Sequence, residues 1–97
     1  MIIENERIKK MINIQESPIS YLGRLISGLS IPRVGKQTAW ILAEHFDSIR
    51  PLMKANLMEL EGIDGIGESI AEKIWEYFQD NRNIKEINEL TVMGIAY

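Results

Sequence analysis

Two stretches decide the fold: Ile31-Pro32-Arg33-Val34-Gly35-Lys36-Gln37-Thr38-Ala39 and, 32 residues on, Ile63-Asp64-Gly65-Ile66-Gly67-Glu68-Ser69-Ile70-Ala71. The shift lays Ile31 on Ile63, Val34 on Ile66, Gly35 on Gly67 and Ala39 on Ala71. Continued, it lays Leu42 on Ile74, Glu44 on Glu76 and Phe46 on Phe78. Self-similarity at a fixed period marks a repeated supersecondary unit, so the chain reads as two copies of one device. In each copy a short turn ends in glycine and a helix begins. Ala39, Leu42, Ala43 and Phe46 follow i, i+3, i+4, i+7 spacing, one face of a helix. In the second copy Ile70, Ala71, Ile74 and Phe78 share a face, leaving Glu68, Glu72 and Glu76 to solvent.

Each glycine suggests two roles. It supplies a backbone conformation that a Cβ would hinder in a tight turn, and it leaves the N–H groups of the following helix uncovered. The small alanine four residues later permits close approach by the preceding helix. Uncovered N–H groups at a helix N-terminus, with its partial positive charge, form a site for anions such as phosphate. A contact of this kind reads a nucleic-acid backbone and not its bases.

Working outward, residues 4–15 have the composition of a helix, with Ile8, Met11 and Ile12 on one face. Ser17-Pro18 starts a second helix with a cap and a first-turn proline, and Leu22, Leu25, Ile26 and Leu29 form its apolar stripe. After Phe46, Asp47 or Ser48 is expected to cap a short helix over Ile49–Lys54, and Asn56 another over Leu57–Leu60. The helix after the second turn is expected to end near Asp80-Asn81. A last helix over about Asn83–Met93 would bury Ile84, Ile87 and Leu90 and stop at Gly94. No stretch alternates convincingly as a strand. The expected fold class is therefore all-α, a small helical bundle.

Ninety-seven residues, 45% hydrophobic and 26% charged, make one ordinary globular domain or a piece of one. No apolar run approaches the roughly 20 residues needed to cross a bilayer, and the N-terminus lacks the layout of a secretory signal. The absence of cysteine excludes disulfides and thiolate metal sites and suits a cytoplasmic protein. The net charge of −3 is unevenly spread. Tyr21–Lys54 carries Arg24, Arg33, Lys36, Arg50 and Lys54 against Glu44 and Asp47, whereas Ala55–Asp80 carries Lys73 against seven acids. Electrostatic attraction to phosphate belongs to the first half.

The run Arg24-Leu25-Ile26-Ser27-Gly28-Leu29-Ser30-Ile31-Pro32-Arg33-Val34-Gly35-Lys36-Gln37-Thr38-Ala39 resembles the helix-hairpin-helix domain of bacterial NAD-dependent DNA ligases. So do Leu42-Ala43-Glu44-His45-Phe46, Glu59-Leu60, Ile63-Asp64-Gly65-Ile66-Gly67, Ala71, Tyr77-Phe78 and the stretch from Asn83 to Ile95. The similarity covers residues 17–95 and matches the second half of that domain, two of its four motifs. The resemblance implies tandem helix-hairpin-helix repeats in a SAM-like bundle, akin to RuvA domain 2. It also implies binding to double-stranded or nicked DNA during replication and repair, in a bacterial cytoplasm and in association with the nucleoid. The domain division that follows is 1–16, a helix with no assigned role, and 17–95, the DNA-binding unit. The family's Lys-x-Asp-Gly adenylation motif and zinc-ligating cysteines have no counterpart here. No catalytic residue, metal site or cofactor is therefore expected on this chain; NAD, Mg and Zn would belong to other domains of a full-length ligase, which would also be its partners.

The candidate phosphate-binding residues are Arg33, Val34, Gly35, Lys36 and Gln37 in the first hairpin, and Gly65, Ile66, Gly67 and Ser69 in the second. In the first, the backbone N–H groups of Val34, Gly35 and Gln37 are the donors. Arg24 and Lys73 are candidate flanking cations, Lys73 offsetting Glu68 and Glu72. Two departures from the family pattern bear on these sites: Arg33 stands where a Gly-hydrophobic-Gly turn has its first glycine, and Glu68 follows the second hairpin. Trp40 and Trp75 read as core or interface residues, and the lone His45 has no ligand partners. A rival reading is a stand-alone repair or protein-interaction module without ligase activity, docking through the acidic second repeat. Oligomeric state is not legible.

Overall fold

The computed structural model describes residues 18–94, which form six helices: α1 (Pro18–Gly28), α2 (Lys36–Phe46), α3 (Ile49–Lys54), α4 (Leu57–Glu61), α5 (Glu68–Tyr77) and α6 (Asn81–Val92). No strand occurs among the described residues, so the all-α class stands. The helix expected over 4–15 and the cap at Ser17 lie outside the described residues. So does the segment 1–16 as a domain.

The repeat is legible in the architecture: α1–turn–α2 and α4–turn–α5 are the two helical hairpins, α3 joins them, and α6 follows. The core is drawn from both copies. Ile31, Ala39, Leu42 and Phe46 are buried in the first, and Ile63, Ala71, Ile74 and Phe78 in the second. Each of these eight residues falls on its partner under the 32-residue shift. Leu22 and Ile26 of α1, Leu60 of α4 and Ile87 of α6 close the same cluster. Non-directional apolar burial of these side chains is the main force holding the bundle. No buried side-chain polar atom among the described residues lacks a hydrogen-bond partner.

Helix ends show where local chemistry departs from the sequence expectations. Asp47 does not cap α3. It closes α2 in the left-handed region (φ 64°), its N–H donating to the Ala43 carbonyl, and Ser48 occupies the next N-cap without a side-chain hydrogen bond. Asn56 caps α4 as expected, its Oδ1 accepting the Glu59 N–H at 2.8 Å. Helix α5 ends at Tyr77, earlier than expected, and α6 begins at Asn81 instead of Asn83. The cause is Asp80, whose carboxylate accepts the Arg82 N–H at 2.9 Å and sets the helix start there. Within α6 only Ile87 is fully buried; Ile84 and Leu90 are half-buried, because α6 lies at the edge of the bundle. Gly94, at φ +78°, terminates it as expected.

Candidate nucleic-acid interface

The two turns are superimposable in their hydrogen bonding. In the first, the Val34 N–H donates to the Ile31 carbonyl at 3.0 Å; in the second, Ile66 donates to Ile63 at 3.0 Å. The third residue of each turn has positive φ, 69° at Arg33 and 93° at Gly65. This is the pattern of a type II turn, which also favours a proline such as Pro32 at the second position. The helix then starts the same way: Ala39 N–H to the Gly35 carbonyl and Ala71 N–H to the Gly67 carbonyl, both 2.9 Å.

This geometry redistributes the roles read from the sequence. Gly35 and Gly67 do not supply the unusual conformation. Their φ values of −88° and −77° are open to any residue, and the left-handed position belongs to Arg33 and Gly65. What Gly35 and Gly67 provide is clearance, since nothing lies within 4 Å of a Cβ built on either. Both occupy the N-cap of their helix, and neither α2 nor α5 has a side-chain cap there. The first four N–H groups of each helix have no intrahelical partner, which leaves those of Gly35, Lys36, Gln37 and Thr38, and likewise those of Gly67, Glu68, Ser69 and Ile70, open to an anion. Val34 is corrected as a donor, because the turn already uses its N–H group, and the N–H of Ile66 is taken in the same way. Ile66 is buried and Val34 half-buried against the core, so both serve as plugs that seat the hairpin.

Charge differs sharply between the two. Arg33 and Lys36 are exposed at the first hairpin, with the Lys36 ammonium 6.0 Å from the Trp40 ring centroid. At the second, Asp64 and Glu68 are exposed, and Glu68 sits in the first helical turn. Lys73 does not stand by to offset Glu68. Its ammonium lies 3.8 Å from Glu76, and its side chain borders a cleft with Pro32 of the first hairpin, Tyr77 and Asp80. Arg24 is exposed on α1.

Cross-contacts hold the hairpins together. Gly65 at the tip of the second turn rests on Ile41 of α2, whose Cδ1 stands 2.9 Å from where a Gly65 Cβ would be. His45 Nε2 of α2 lies 3.7 Å from Glu59 of α4. The Tyr77 hydroxyl of α5 donates to the Leu29 carbonyl, at the end of α1, at 3.4 Å. Burial raises the Tyr77 phenol above its ordinary pKa, helped by Glu86 and Asp80, which keeps that donor protonated. The shift carries His45 onto Tyr77, so these two contacts are counterparts. Each outgoing helix leans on the incoming helix of the other hairpin. The sequence could not reveal the role of Ile41, which lies off the periodic apolar face that marked the repeat; Tyr77 borders that face, three residues after Ile74 and seven after Ile70.

No group of three or more His, Cys, Asp or Glu among the described residues could hold a metal ion, and no described helix is long and apolar enough to cross a membrane.

Two helical hairpins with matching turns, packed through one core, define a tandem helix-hairpin-helix unit. The profile of the helix-hairpin-helix motif matches residues 24–87, and the chain belongs to that family. Similar curated proteins are DNA ligases. One from Chlamydia felis is 39% identical over 93 residues, 95% of this chain and 14% of the ligase. One from Thermotoga neapolitana is 41% identical over 87 residues, covering 90% of this chain and 13% of the ligase. A third, from Coprothermobacter proteolyticus, is 43% identical over 83 residues, 86% and 12% respectively. The chain thus spans about one seventh of the length of the relatives it matches. No solved structure matches it.

Proposed function

We propose that residues 17–95 are a DNA-gripping unit, corresponding to the second half of the helix-hairpin-helix domain of an NAD-dependent DNA ligase. It binds double-stranded DNA, at or near a nick, through the phosphate backbone and without regard to sequence. The observation that carries this reading is the pair of uncapped helix N-termini, each opened by a glycine with free space before it and each presented by the same turn. The relatives named as DNA ligases support it.

In this reading the N–H groups of Gly35, Lys36 and Gln37 donate to one phosphate, with the helix dipole and the Arg33 and Lys36 charges adding attraction. The N–H groups of Gly67, Glu68 and Ser69 meet a second phosphate. The Glu68 carboxylate opposes that contact, so the first hairpin dominates and the second assists. Sealing of the nick, with its NAD, Mg and Zn chemistry, belongs to the remainder of a longer ligase. Its compartment would be the bacterial cytoplasm, at the nucleoid.

The test is a titration of nicked and intact duplexes across a range of salt. The expected result is weak affinity that falls steeply with salt, with Lys36→Glu weakening it for every sequence alike. Absence of binding at low salt, or binding that ignores salt, would overturn the reading. An adenylation domain encoded upstream in the same reading frame would test the ligase assignment.

A further inference from the structure

We propose that Ile41 is a positioning residue for DNA binding: by seating the tip of the second hairpin, it sets the distance between the two phosphate sites. The proposal rests on the DNA-binding reading above. Ile41 stands on α2, the helix whose N-terminus is the first phosphate site. From Gly35 to Ile41 the helix advances about 9 Å at its usual rise per residue, along a rigid rod. Ile41 Cδ1 then meets the Gly65 backbone so closely that a Cβ there would lie 2.9 Å away. Gly65 is two residues from Gly67, where the second site opens. A stiff path therefore runs from one site to the other, and the Ile41 side chain is its last link.

The counterpart crossing is not built this way. The 32-residue shift carries Ile41 onto Lys73 and returns Gly65 to Arg33. There Lys73 stands in the place of Ile41 and borders a cleft with Pro32 and Tyr77, and the hairpins meet through the Tyr77 hydroxyl, which donates to the Leu29 carbonyl. The spacing thus has one apolar support, which Ile41 supplies, and one polar support, the Tyr77 hydroxyl on the Leu29 carbonyl. Fixed spacing matters because a second contact made at the right distance is intramolecular, and its effective concentration falls once the geometry drifts.

The experiment is a double-mutant cycle on the whole chain, read as Kd for a nicked duplex at low salt. Gly67→Asp disables the second site without touching the core, since Gly67 faces open space. Ile41→Ala is expected to weaken binding roughly five- to tenfold in the parent chain but less than about twofold in the Gly67→Asp chain. Ile41→Leu, which keeps the reach of the side chain, is expected to restore parental affinity. If Ile41→Ala leaves the chain unfolded by circular dichroism, Ile41→Val, which removes Cδ1 alone, takes its place in the same cycle. Equal losses in both backgrounds would mean a merely structural role and overturn the proposal. So would no loss in the parent chain, or a Gly67→Asp chain that binds as well as the parent. A parent chain that binds no duplex would instead overturn the DNA-binding reading, and the proposal with it.

Discussion

The indole of Trp40 covers Gly23: a Cβ on that glycine would stand 2.8 Å from ring carbons Cδ2 and Cε3. Helix α1 therefore approaches α2 at van der Waals distance, and Trp40 is a packing residue of the first hairpin. Replacing Gly23 by alanine gains up to about 1 kcal/mol of helix propensity but drives a methyl group into a rigid ring. The clash wins. Gly23→Ala is expected to lower stability by about 1–2 kcal/mol net in urea titration, with a shift in the Trp40 emission as the ring is displaced.

Arg33 holds a left-handed backbone, φ 69°, that costs an L-residue about 1–2 kcal/mol. Glycine removes that strain but adds about 0.5–1 kcal/mol of unfolded-state entropy. Arg33→Gly is therefore expected to be neutral or to stabilise slightly on thermal melting, while DNA affinity falls and its salt dependence becomes shallower. Stability and binding move in opposite directions, which separates the turn's mechanics from its charge.

Gly35 and Gly65 make an opposed pair. A serine or aspartate at Gly35 meets no neighbour and would cap α2, so stability is expected to rise by a few tenths of a kcal/mol. The same side chain would occupy the N–H groups offered to phosphate, and duplex affinity is expected to drop sharply. Gly65→Ala places a Cβ at positive φ and against Ile41; it is expected to cost about 1–3 kcal/mol on urea denaturation. Comparable affinity losses at equal folded fraction would show that the two glycines do not divide their work in this way.

Asp80 gives the fold an acid-sensitive joint. Its side chain hydrogen bonds with Arg82, then the Arg82 backbone N–H, hold its carboxyl below the usual carboxylate pKa. A lowered folded-state pKa means stabilisation that is complete above the unfolded value, about 3.9, and lost as pH falls through the folded one. The melting temperature should therefore decline below about pH 4, and Asp80→Asn should flatten that part of the profile. At neutral pH Asp80→Ala is expected to fray the start of α6, seen as faster amide exchange at Arg82 and Asn83.

Much of the bundle was legible from spacing alone. Residues such as Ala39, Leu42, Phe46 and their 32-shifted mates announce buried faces because helix geometry repeats, and all of them are buried. Helix ends were read less well. Asp47 is a good capping residue by composition, yet here it closes the helix before it, a choice made by backbone geometry that no periodicity records. The site was half legible. Glycines in register located both hairpins, but their individual tasks were exchanged: the clearance lies at Gly35 and Gly67, the left-handed turn at Arg33 and Gly65. Val34 is no donor for a related reason, since one hydrogen bond across four residues decides whether an N–H is free.

The core shared by the two repeats bears on how the chain is made. A ribosome releases the first hairpin before the helices that cover it have been synthesised. Until Tyr77 emerges, the end of α1 waits for a partner not yet translated, and the first repeat carries an open apolar seam. Halves of the chain produced separately are therefore expected to find one another and assemble through the shared core.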